Sequence, residues 1–261
     1  MNRLIVIKPA KDNAGRCIEV RMSRITGLNR QYIQVKRNKN GKITCGGDQN
    51  FFAGAPEGTA DARKQKIGCG VTAFGDMLLY LGGASRTYCI RENENYINRI
   101  LSEEEYKAYY NTIYDLLGQI SVRENKGLSG LRLSGRFNRL SRRERWKLRA
   151  KWGMSGRRLY GRITEMLEGE IPVILCIPLL FGKKNKEQGI TFYQKKKDAY
   201  HAMCRVSAHY VVITEVVEES GGIYLGISSW GEKYYVNWQE YETFIHRHLL
   251  RTILGNILYI R

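Results

Sequence analysis

Residues 68–81 of this 261-residue chain read GCGVTAFGDMLLYL, and residues 70–81 of this stretch are apolar on nearly every helical face. Such a stretch is typical of a short helix buried at the centre of a domain, not of an amphipathic surface helix. The pair Gly82-Gly83 predicts where it ends. Cys69 stands at its start, where unpaired backbone N–H groups stabilise a thiolate. The stretch therefore predicts a core helix that begins with a candidate nucleophile of lowered pKa.

The sequence downstream of this helix predicts a β-rich half. Residues 173–177 (VILCI) are continuously apolar, which indicates a buried strand. Residues 209–217 and 223–228 read as two further strands, and the sequence EESGG between them favours a hairpin loop. With a helical middle before them, these strands predict an α+β fold in one domain over 1–261, with His209 on an antiparallel sheet.

The segments upstream and beside the core helix predict shorter elements. Residues 17–21 (CIEVR) and 32–36 (YIQVK) alternate apolar and polar positions, so we expect residues 1–48 to be a β-rich extension packed on the domain. Ser102 and Glu105 have the spacing of a capping box, which predicts that a helix begins there.

The charge of the chain, +18 in total, is concentrated between residues 132 and 158. This segment has eleven Lys or Arg and one acidic residue, a net charge of +10. Four apolar residues recur within it at helical intervals: Phe137, Leu140, Leu148 and Trp152. We therefore expect an amphipathic helix with a cationic outer face. Such a face attracts acidic substrates or other polyanions by a Coulomb interaction that does not depend on their sequence.

Cysteine usage and hydropathy indicate the compartment. The six cysteines include no Cys-x-x-Cys pair, which favours free thiols in reducing cytosol. The N-terminus, MNRLIVIKPAKDN, lacks the apolar region of a secretory signal, and no later apolar run approaches the roughly eighteen residues of a membrane helix. We therefore expect a cytoplasmic protein without a membrane span. His201-x-x-Cys204 has no second ligand pair, so no metal or other cofactor is expected.

Four short motifs follow one another between residues 49 and 245. They are Gly68-Cys69-Gly70-Val71-Thr72-Ala73, a Pro-Val-Ile strand from Pro172, His209-Tyr210-Val211-Val212 and Ser228-Ser229-Trp230-Gly231. In this order the sequence resembles the papain-like cysteine peptidases, and in particular the bacterial branch that includes the double-glycine leader peptidases. The separation of 140 positions from Cys69 to His209 falls within the roughly 130–150 of papain-like enzymes. The resemblance implies a papain-like fold, with a helical lobe after the Cys helix and an antiparallel sheet lobe that carries the His.

The resemblance also implies a role for each principal residue. Cys69 is the nucleophile, and His209, at the head of an apolar strand, is the general base that later protonates the leaving amine. His201 is the competing candidate for the base. The implied reaction is cleavage of a peptide or isopeptide bond through a thioester, with a peptide or protein as substrate.

The third catalytic position departs from the family pattern. Papain-like enzymes carry Asn, and the leader-peptidase branch Asp, where this chain has Ser228. A serine hydroxyl accepts a hydrogen bond from the imidazole but does not stabilise imidazolium as a carboxylate does. Trp230 matches the family's Trp that shields this hydrogen bond from water. We expect Trp230 and Gly68 to line the cleft.

The glutamine that completes the oxyanion hole is displaced as well. Papain-like sites place it about six residues before the cysteine, where this chain has Arg63. Gln49 is the preferred candidate, because in the bacterial branch the glutamine can precede a loop insertion, and Gln65 is the reserve.

Two hypotheses about function follow. The first is a cysteine peptidase or related acyl hydrolase, whose low-pKa thiol would react quickly with iodoacetamide at mildly acidic pH. The second is a catalytically weak or inactive papain-like scaffold that serves as a cationic binding module for nucleic acid or another polyanion. It is motivated by residues 132–158 and by the serine at position 228. Affinity that falls steeply with salt would indicate the second.

Overall fold

The secondary structure combines helices with antiparallel strands in a computed structural model that describes residues 3–6, 22–118, 127–154, 156–178, 189–247 and 249–261. The strands of these residues are β1 (Arg3–Val6), β2 (Met22–Gly27), β3 (Val35–Lys36), β4 (Leu101–Ser102), β5 (Ala150–Trp152), β6 (Val173–Ile177), β7 (Ile190–Lys196), β8 (Ala199–Val206), β9 (His209–Glu219), β10 (Gly222–Ser229), β11 (Glu232–Asn237) and β12 (Leu258–Ile260). The α-helices are α1 (Ala60–Ile67), α2 (Cys69–Ala84), α3 (Glu103–Leu116), α4 (Gly130–Arg143), α5 (Gly156–Glu168), α6 (Trp238–His246) and α7 (Leu249–Leu254).

The largest sheet is antiparallel and is organised around β9. Its strand order is β1-β2-β9-β10-β11-β7-β8, and β6 also pairs with β9. On one side β9 pairs with β10, and on the other with β6 near its start and β2 near its end. Consecutive residues of β9 from Val211 to Thr214 are buried. Because neighbours in a strand point to opposite faces, both faces of the sheet are covered here. Helices α2 and α5 both contact β9.

Helix α2 confirms the core helix predicted over residues 70–81. Gly68 ends α1 and immediately precedes α2. A Cβ atom at Gly68 would lie 2.1 Å from the carbonyl oxygen of Lys64 and 2.2 Å from the hydroxyl of Tyr110, so only glycine fits. Among the described residues no single helix is long and apolar enough to cross a membrane, and α1 and α2 meet those criteria only as a pair bent by 79°.

Several sequence predictions are confirmed. Strand β6 coincides with residues 173–177, and β9 and β10 form the predicted hairpin. Ser102 and Glu105 make both hydrogen bonds of the capping box at the start of α3. Within residues 1–48, β2 joins the main sheet through β9, whereas β3 covers only two residues of the predicted 32–36 strand. The predicted strand at 17–21 lies outside the described residues.

The single amphipathic helix predicted over residues 132–158 is wrong. Helix α4 ends at Arg143, and the chain then forms β5, which pairs with β12, before α5 begins. Arg145 adopts a left-handed conformation with φ of 57°, and the N–H of Trp146 donates to the carbonyl of Ser141 at 2.8 Å. These are the features of a Schellman-type helix end. Phe137 and Trp152 therefore belong to different elements.

Candidate active site

Cys69 is the first residue of α2 and is partly buried. Burial raises the pKa of its thiol, and hydrogen bonds to the sulfur from the backbone N–H groups of Tyr210, Gly70 and Cys69 itself oppose this increase only in part. The direction is opposite to the lowered pKa expected from a helix start, because desolvation of the thiolate outweighs the nearby N–H groups. The thiol is therefore protonated at neutral pH.

His209 is the first residue of β9 and pairs with Ile177 of β6. Its side chain is only 7% exposed, and burial lowers its pKa to about 4, so the imidazole is neutral at pH 7. The indole of Trp230 stacks on the imidazole, with ring centroids 4.6 Å apart and planes inclined by 22°. The ring of Phe192 lies 6.5 Å from the imidazole. These aromatic rings limit the access of water to His209.

The hydroxyl that contacts the imidazole belongs to Ser229, not to Ser228. His209 Nε2 and Ser229 Oγ are 2.8 Å apart. Ser228 Oγ instead donates to the carbonyl of Cys45 at 2.8 Å. The prediction that Ser228 orients the imidazole is therefore wrong. In the tautomer whose Nε2–H donates to Ser229, the ring nitrogen that keeps a lone pair is Nδ1.

A β-bulge explains which serine faces His209. The pairing of β10 with β9 shifts by one residue between Gly226 and Ile227, so that Ser228 pairs with Val212. Side chains alternate across a sheet, which places Ser229 on the face of His209 and Ser228 on the other. Without the bulge the two serines would exchange faces.

Cys69 and His209 line one small cavity together with Gln49, Ser229 and Trp230. The cavity measures about 10 Å³, which is about the space that one water molecule needs. Because this volume is too small for a substrate carbonyl, the cleft must widen before a substrate can enter. Both residues lie within the described part of the chain, and no direct hydrogen bond joins the thiol to the imidazole.

Gln49 and Gln65, the two candidates for the oxyanion hole, have different positions. Gln49 begins a short 3-10 helix and lines the cavity beside Cys69. Its Nε2 donates to the backbone carbonyl of Gln65 at 2.6 Å. This bond uses one N–H of the amide and leaves the second for a substrate oxygen. Gln65 contributes this carbonyl, and its side chain does not line the cavity. The geometry therefore favours Gln49.

A salt bridge fixes the segment that carries Gln49 to the turn that carries Trp230. Arg37 Nη2 donates to Asp48 Oδ2 at 2.7 Å and to the carbonyl of Trp230 at 2.9 Å. The Asp48 carboxylate also accepts from the N–H of Asn50 and so caps the 3-10 helix. Arg37 and Asp48 are thus positioning residues for both walls of the cavity.

The turn between β10 and β11 consists of Trp230 and Gly231, with φ of 51° and 72°. Two residues of positive φ are typical of a tight hairpin turn of type I′, in which a tryptophan is unusual. The N–H of Gly231 donates to the carbonyl of Gly47 at 3.1 Å, and its carbonyl accepts from Cys45 at 2.8 Å. The turn therefore holds the indole over His209 although this conformation is strained.

Asp76 lies on the inner face of α2 and lines the same cavity as Cys69. Its carboxyl accepts a hydrogen bond from the Tyr106 hydroxyl at 2.7 Å and one from the N–H of Gly47 at 2.8 Å. Burial raises the pKa of Asp76 to about 7, although both hydrogen bonds act to lower it. Asp76 is therefore a titratable group in the cavity that the candidate nucleophile lines.

His201 and Cys204 lie exposed on β8 and do not line the cavity, so the geometry favours His209 as the base. Within the described residues no group of three or more His, Cys, Asp and Glu side chains is placed to hold a metal ion.

The sequence reasoning missed Ser229, Arg37, Asp48 and Asp76. Two of them adjoin residues that it selected, because Ser229 follows Ser228 and Asp48 precedes Gln49.

No family model, no curated protein and no solved structure matches this chain. The membership of the papain-like superfamily therefore stays a prediction from the motifs.

Proposed function

We propose that this chain is a cysteine peptidase or related amide hydrolase of the papain-like type, acting in the cytoplasm on a peptide or protein. The observation that carries the proposal is the common cavity of Cys69, His209 and Gln49, with Ser229 hydrogen-bonded to Nε2 of the imidazole. A helix that presents Cys69 and packs on the strand that begins with His209 is also the arrangement expected of a papain-like fold.

The first half of the reaction forms a thioester. His209 Nδ1 takes the proton of the Cys69 thiol as the sulfur attacks the substrate carbonyl carbon, because neither group is charged beforehand. The carbonyl oxygen gains negative charge and is stabilised by the N–H of Cys69 and by the remaining amide N–H of Gln49. The imidazolium then protonates the leaving amine as the carbon–nitrogen bond breaks.

The second half regenerates the thiol. His209 removes a proton from a water molecule that attacks the thioester carbonyl, and the imidazolium returns this proton to the departing sulfur. Ser229 accepts from Nε2–H in both halves, so that Nδ1 is the nitrogen that takes up the proton and releases it. A serine stabilises the imidazolium less than Asp or Asn would, so we expect a slow enzyme.

The proposal is tested with a mixture of peptides from a digested proteome, in which new N-termini are read by mass spectrometry. Wild-type protein is expected to cleave at recurring sites, and the Cys69→Ala variant at none. Cys204→Ala, which removes an exposed thiol of β8, is the matched control and should cleave as wild type does. Equal cleavage by Cys69→Ala, or no cleavage by wild type, would contradict the proposal.

A cationic binding module is the second candidate function, and the arginines of α4 favour it. Arg132, Arg136, Arg139 and Arg143 recur every three or four residues, a spacing that places them along one side of the helix. Part of this charge has partners within the chain, because Arg143 pairs with Glu92 and Glu144. Arg139 is exposed and lines a groove with Arg136.

A labelled single-stranded oligonucleotide tests this second function. If α4 binds polyanions, the double variant Arg136→Gln/Arg139→Gln should bind the oligonucleotide more weakly. The slope of log affinity against log salt concentration should also become shallower by about one unit for each lost phosphate contact. Lys196→Gln/Lys197→Gln removes the same charge from exposed positions at the β7–β8 turn and serves as the control. Equal losses in the two double variants would indicate attraction by net charge alone.

A further inference from the structure

A large apolar groove lies beside the candidate active site. It encloses about 830 Å³, within the range of about 300–1,000 Å³ of ligand sites. One wall is the start of α4 with Leu131, the floor is β5 with Trp152 and the following Met154, and the other wall is α7 with Ile253 and Leu254. The groove thus combines three elements that are far apart in sequence.

The walls of this groove expose large apolar side chains. Leu131 is 72% exposed, Ile253 56% and Leu254 39%. Soluble proteins rarely leave such residues together on one surface unless the surface binds something. Burying them against a ligand would remove apolar area from water, which is the main driving force for association.

Hydrogen bonds from Asn256 hold part of the groove lining in place. Asn256 is buried, accepts from the N–H of Met154 at 2.8 Å and donates to its carbonyl at 3.1 Å. The same side chain donates to the carbonyl of Thr252 on α7 at 3.4 Å. Asn256 therefore connects the floor to one wall, which reduces the entropy that a ligand must overcome.

Contiguous aromatic contacts connect the groove to Cys69. Trp152 and Tyr210 are in edge contact, with ring centroids 6.1 Å apart. Tyr210 lines the cavity of Cys69, and its N–H is a hydrogen-bond donor to the sulfur. A Cβ atom at Gly70 would lie 3.3 Å from the Tyr210 ring, so this ring packs directly on the first turn of α2. The groove therefore adjoins the cleft at Tyr210.

The charges that line the groove select its ligand further. Lys151 and Arg158 are exposed at the groove, and no Asp or Glu of the described chain lines it. An apolar ligand with a carboxylate would complement both the walls and these two cations.

We propose that this groove binds an apolar, acidic segment of the peptide substrate and directs the neighbouring peptide bond to Cys69. The proposal rests on the proposed amide hydrolase function, because it assigns the groove to that enzyme's substrate. We take the occupant to be a peptide because Trp152 of the groove contacts Tyr210 beside Cys69, and because Lys151 and Arg158 complement an acidic segment.

The test measures binding on the Cys69→Ala protein, so that it does not depend on catalysis. The probe is a fluorescein-labelled peptide of Leu, Phe and Glu, followed by fluorescence anisotropy. A peptide with Ser in place of Leu and Phe, and one with Lys in place of Glu, are expected to bind at least about tenfold more weakly. In the Cys69→Ala protein, the further substitution Ile253→Glu should weaken binding of the Leu, Phe and Glu peptide by about tenfold or more.

Met203→Glu is the matched control, because Met203 is 51% exposed on β8 and does not line the groove. Lys151→Gln should weaken binding of the peptide that contains Glu and leave binding of the Lys peptide unchanged. Lys147→Gln, at another exposed position, should change the affinity for neither peptide. Unchanged affinity in Ile253→Glu would overturn the proposal. Conversion of a wild-type dimer to monomer by Ile253→Glu, with unchanged peptide affinity, would assign the groove to a second copy.

A second readout separates this proposal from the proposed function. The peptide should slow the alkylation of Cys69 in wild-type protein, and Ile253→Glu should remove that protection. Binding and protection without any cleavage would leave the groove assigned and contradict the hydrolase. Cleavage that Ile253→Glu leaves unchanged would support the hydrolase and overturn the groove.

Discussion

Cys69 and His209 begin as a neutral pair, which sets how the thiol reacts. Burial raises the pKa of Cys69 and lowers that of His209 to about 4, so thiolate forms only as the pH rises. Iodoacetamide is expected to label Cys69 slowly at about pH 6, and about tenfold faster for each further unit up to about pH 9. Peptide mapping distinguishes Cys69 from the neighbouring Cys176. Fast labelling that is independent of pH between about 5 and 7 would indicate a preformed ion pair instead.

The two adjacent serines should give different phenotypes. Ser229→Ala removes the hydrogen bond to His209 Nε2 and is expected to lower kcat by about three- to tenfold. Ser228→Ala removes the donor to the carbonyl of Cys45 and should lower the free energy of unfolding by roughly 1 kcal/mol, with little change in kcat. Steady-state rates on a cleaved peptide and urea denaturation provide the two measurements. A larger kcat loss in Ser228→Ala would show that the assignment is reversed.

The sequence predicted the motif that contains both serines but not which of them meets the imidazole. Strand alternation makes that choice depend on register, and one bulge reverses it. Gly226, where the pairing shifts, is the single local hint, because glycine within a strand often marks a bulge. The sequence also did not predict the raised pKa of Cys69, because desolvation depends on packing by residues distant in sequence.

Asp76 should make stability depend on pH. Its pKa is about 7 in the folded chain against an ordinary 3.8, so the folded state binds the proton more tightly. The carboxyl therefore favours folding below about pH 4, and this contribution is lost as the pH rises to about 7, by about 4 kcal/mol. The buried His209 acts in the opposite direction between about pH 4 and 6.5, which is why a difference measurement is needed.

The Asp76→Asn variant isolates this effect. Its stability relative to wild type should increase as the pH rises from about 4 to 7 and should be constant above. Urea denaturation at a series of pH values measures the difference. A constant difference over the whole range would mean that Asp76 does not titrate there. The groups around the carboxyl are Tyr106, Tyr109, Tyr32 and Cys45, none of which is cationic.

At the scale of elements, the loop before Gln49 depends on close packing against α3. A Cβ atom at Gly47 would lie 1.8 Å from the hydroxyl oxygen of Tyr106, which is itself bonded to Asp76. Gly47→Ala is therefore expected to cost about 1–3 kcal/mol and to impair catalysis by displacing Gln49. Thermal unfolding and steady-state rates report the two effects.

Gly135→Ala is the control for that substitution. Gly135 lies inside α4 with no atom within 4 Å of an added Cβ, so alanine should stabilise the chain by about 0.5–1 kcal/mol. Similar effects of the two substitutions would contradict the packing described for Gly47.

The elements that the sequence predicted best are those with local signals. The capping box of α3 and the apolar run of β6 require no tertiary information. The prediction of a single helix over the basic segment 132–158 was wrong because the helix ends before Arg145, which adopts a left-handed conformation. Glycine usually occupies that position, so arginine gave no signal of a helix end.

At the scale of the whole molecule, the mixture of helix and antiparallel sheet was predictable, whereas strand pairing was not. Hydrophobic periodicity reports the type of an element but not its partners. The pairing of β2 with β9 joins residues of the first and last thirds of the chain, and it makes β2 an integral part of the sheet. The buried apolar residues from Val35 to Ile260 form one contiguous cluster, consistent with one core.

This topology divides the candidate chemistry between two lengths of chain. The part up to the end of α5 contains Cys69 and Gln49, and the part from β6 onward contains His209, Ser229 and Trp230. Pairing of β2 with β9 and packing of α2 on β9 hold the two parts together. For the proposed hydrolase, a chain cut between α5 and β6 is expected to be inert in either fragment and active when strand addition reunites the two. Co-expression of the fragments, with Thr26→Pro as the mismatched control that cannot complete the β2 pairing, would measure that reassembly.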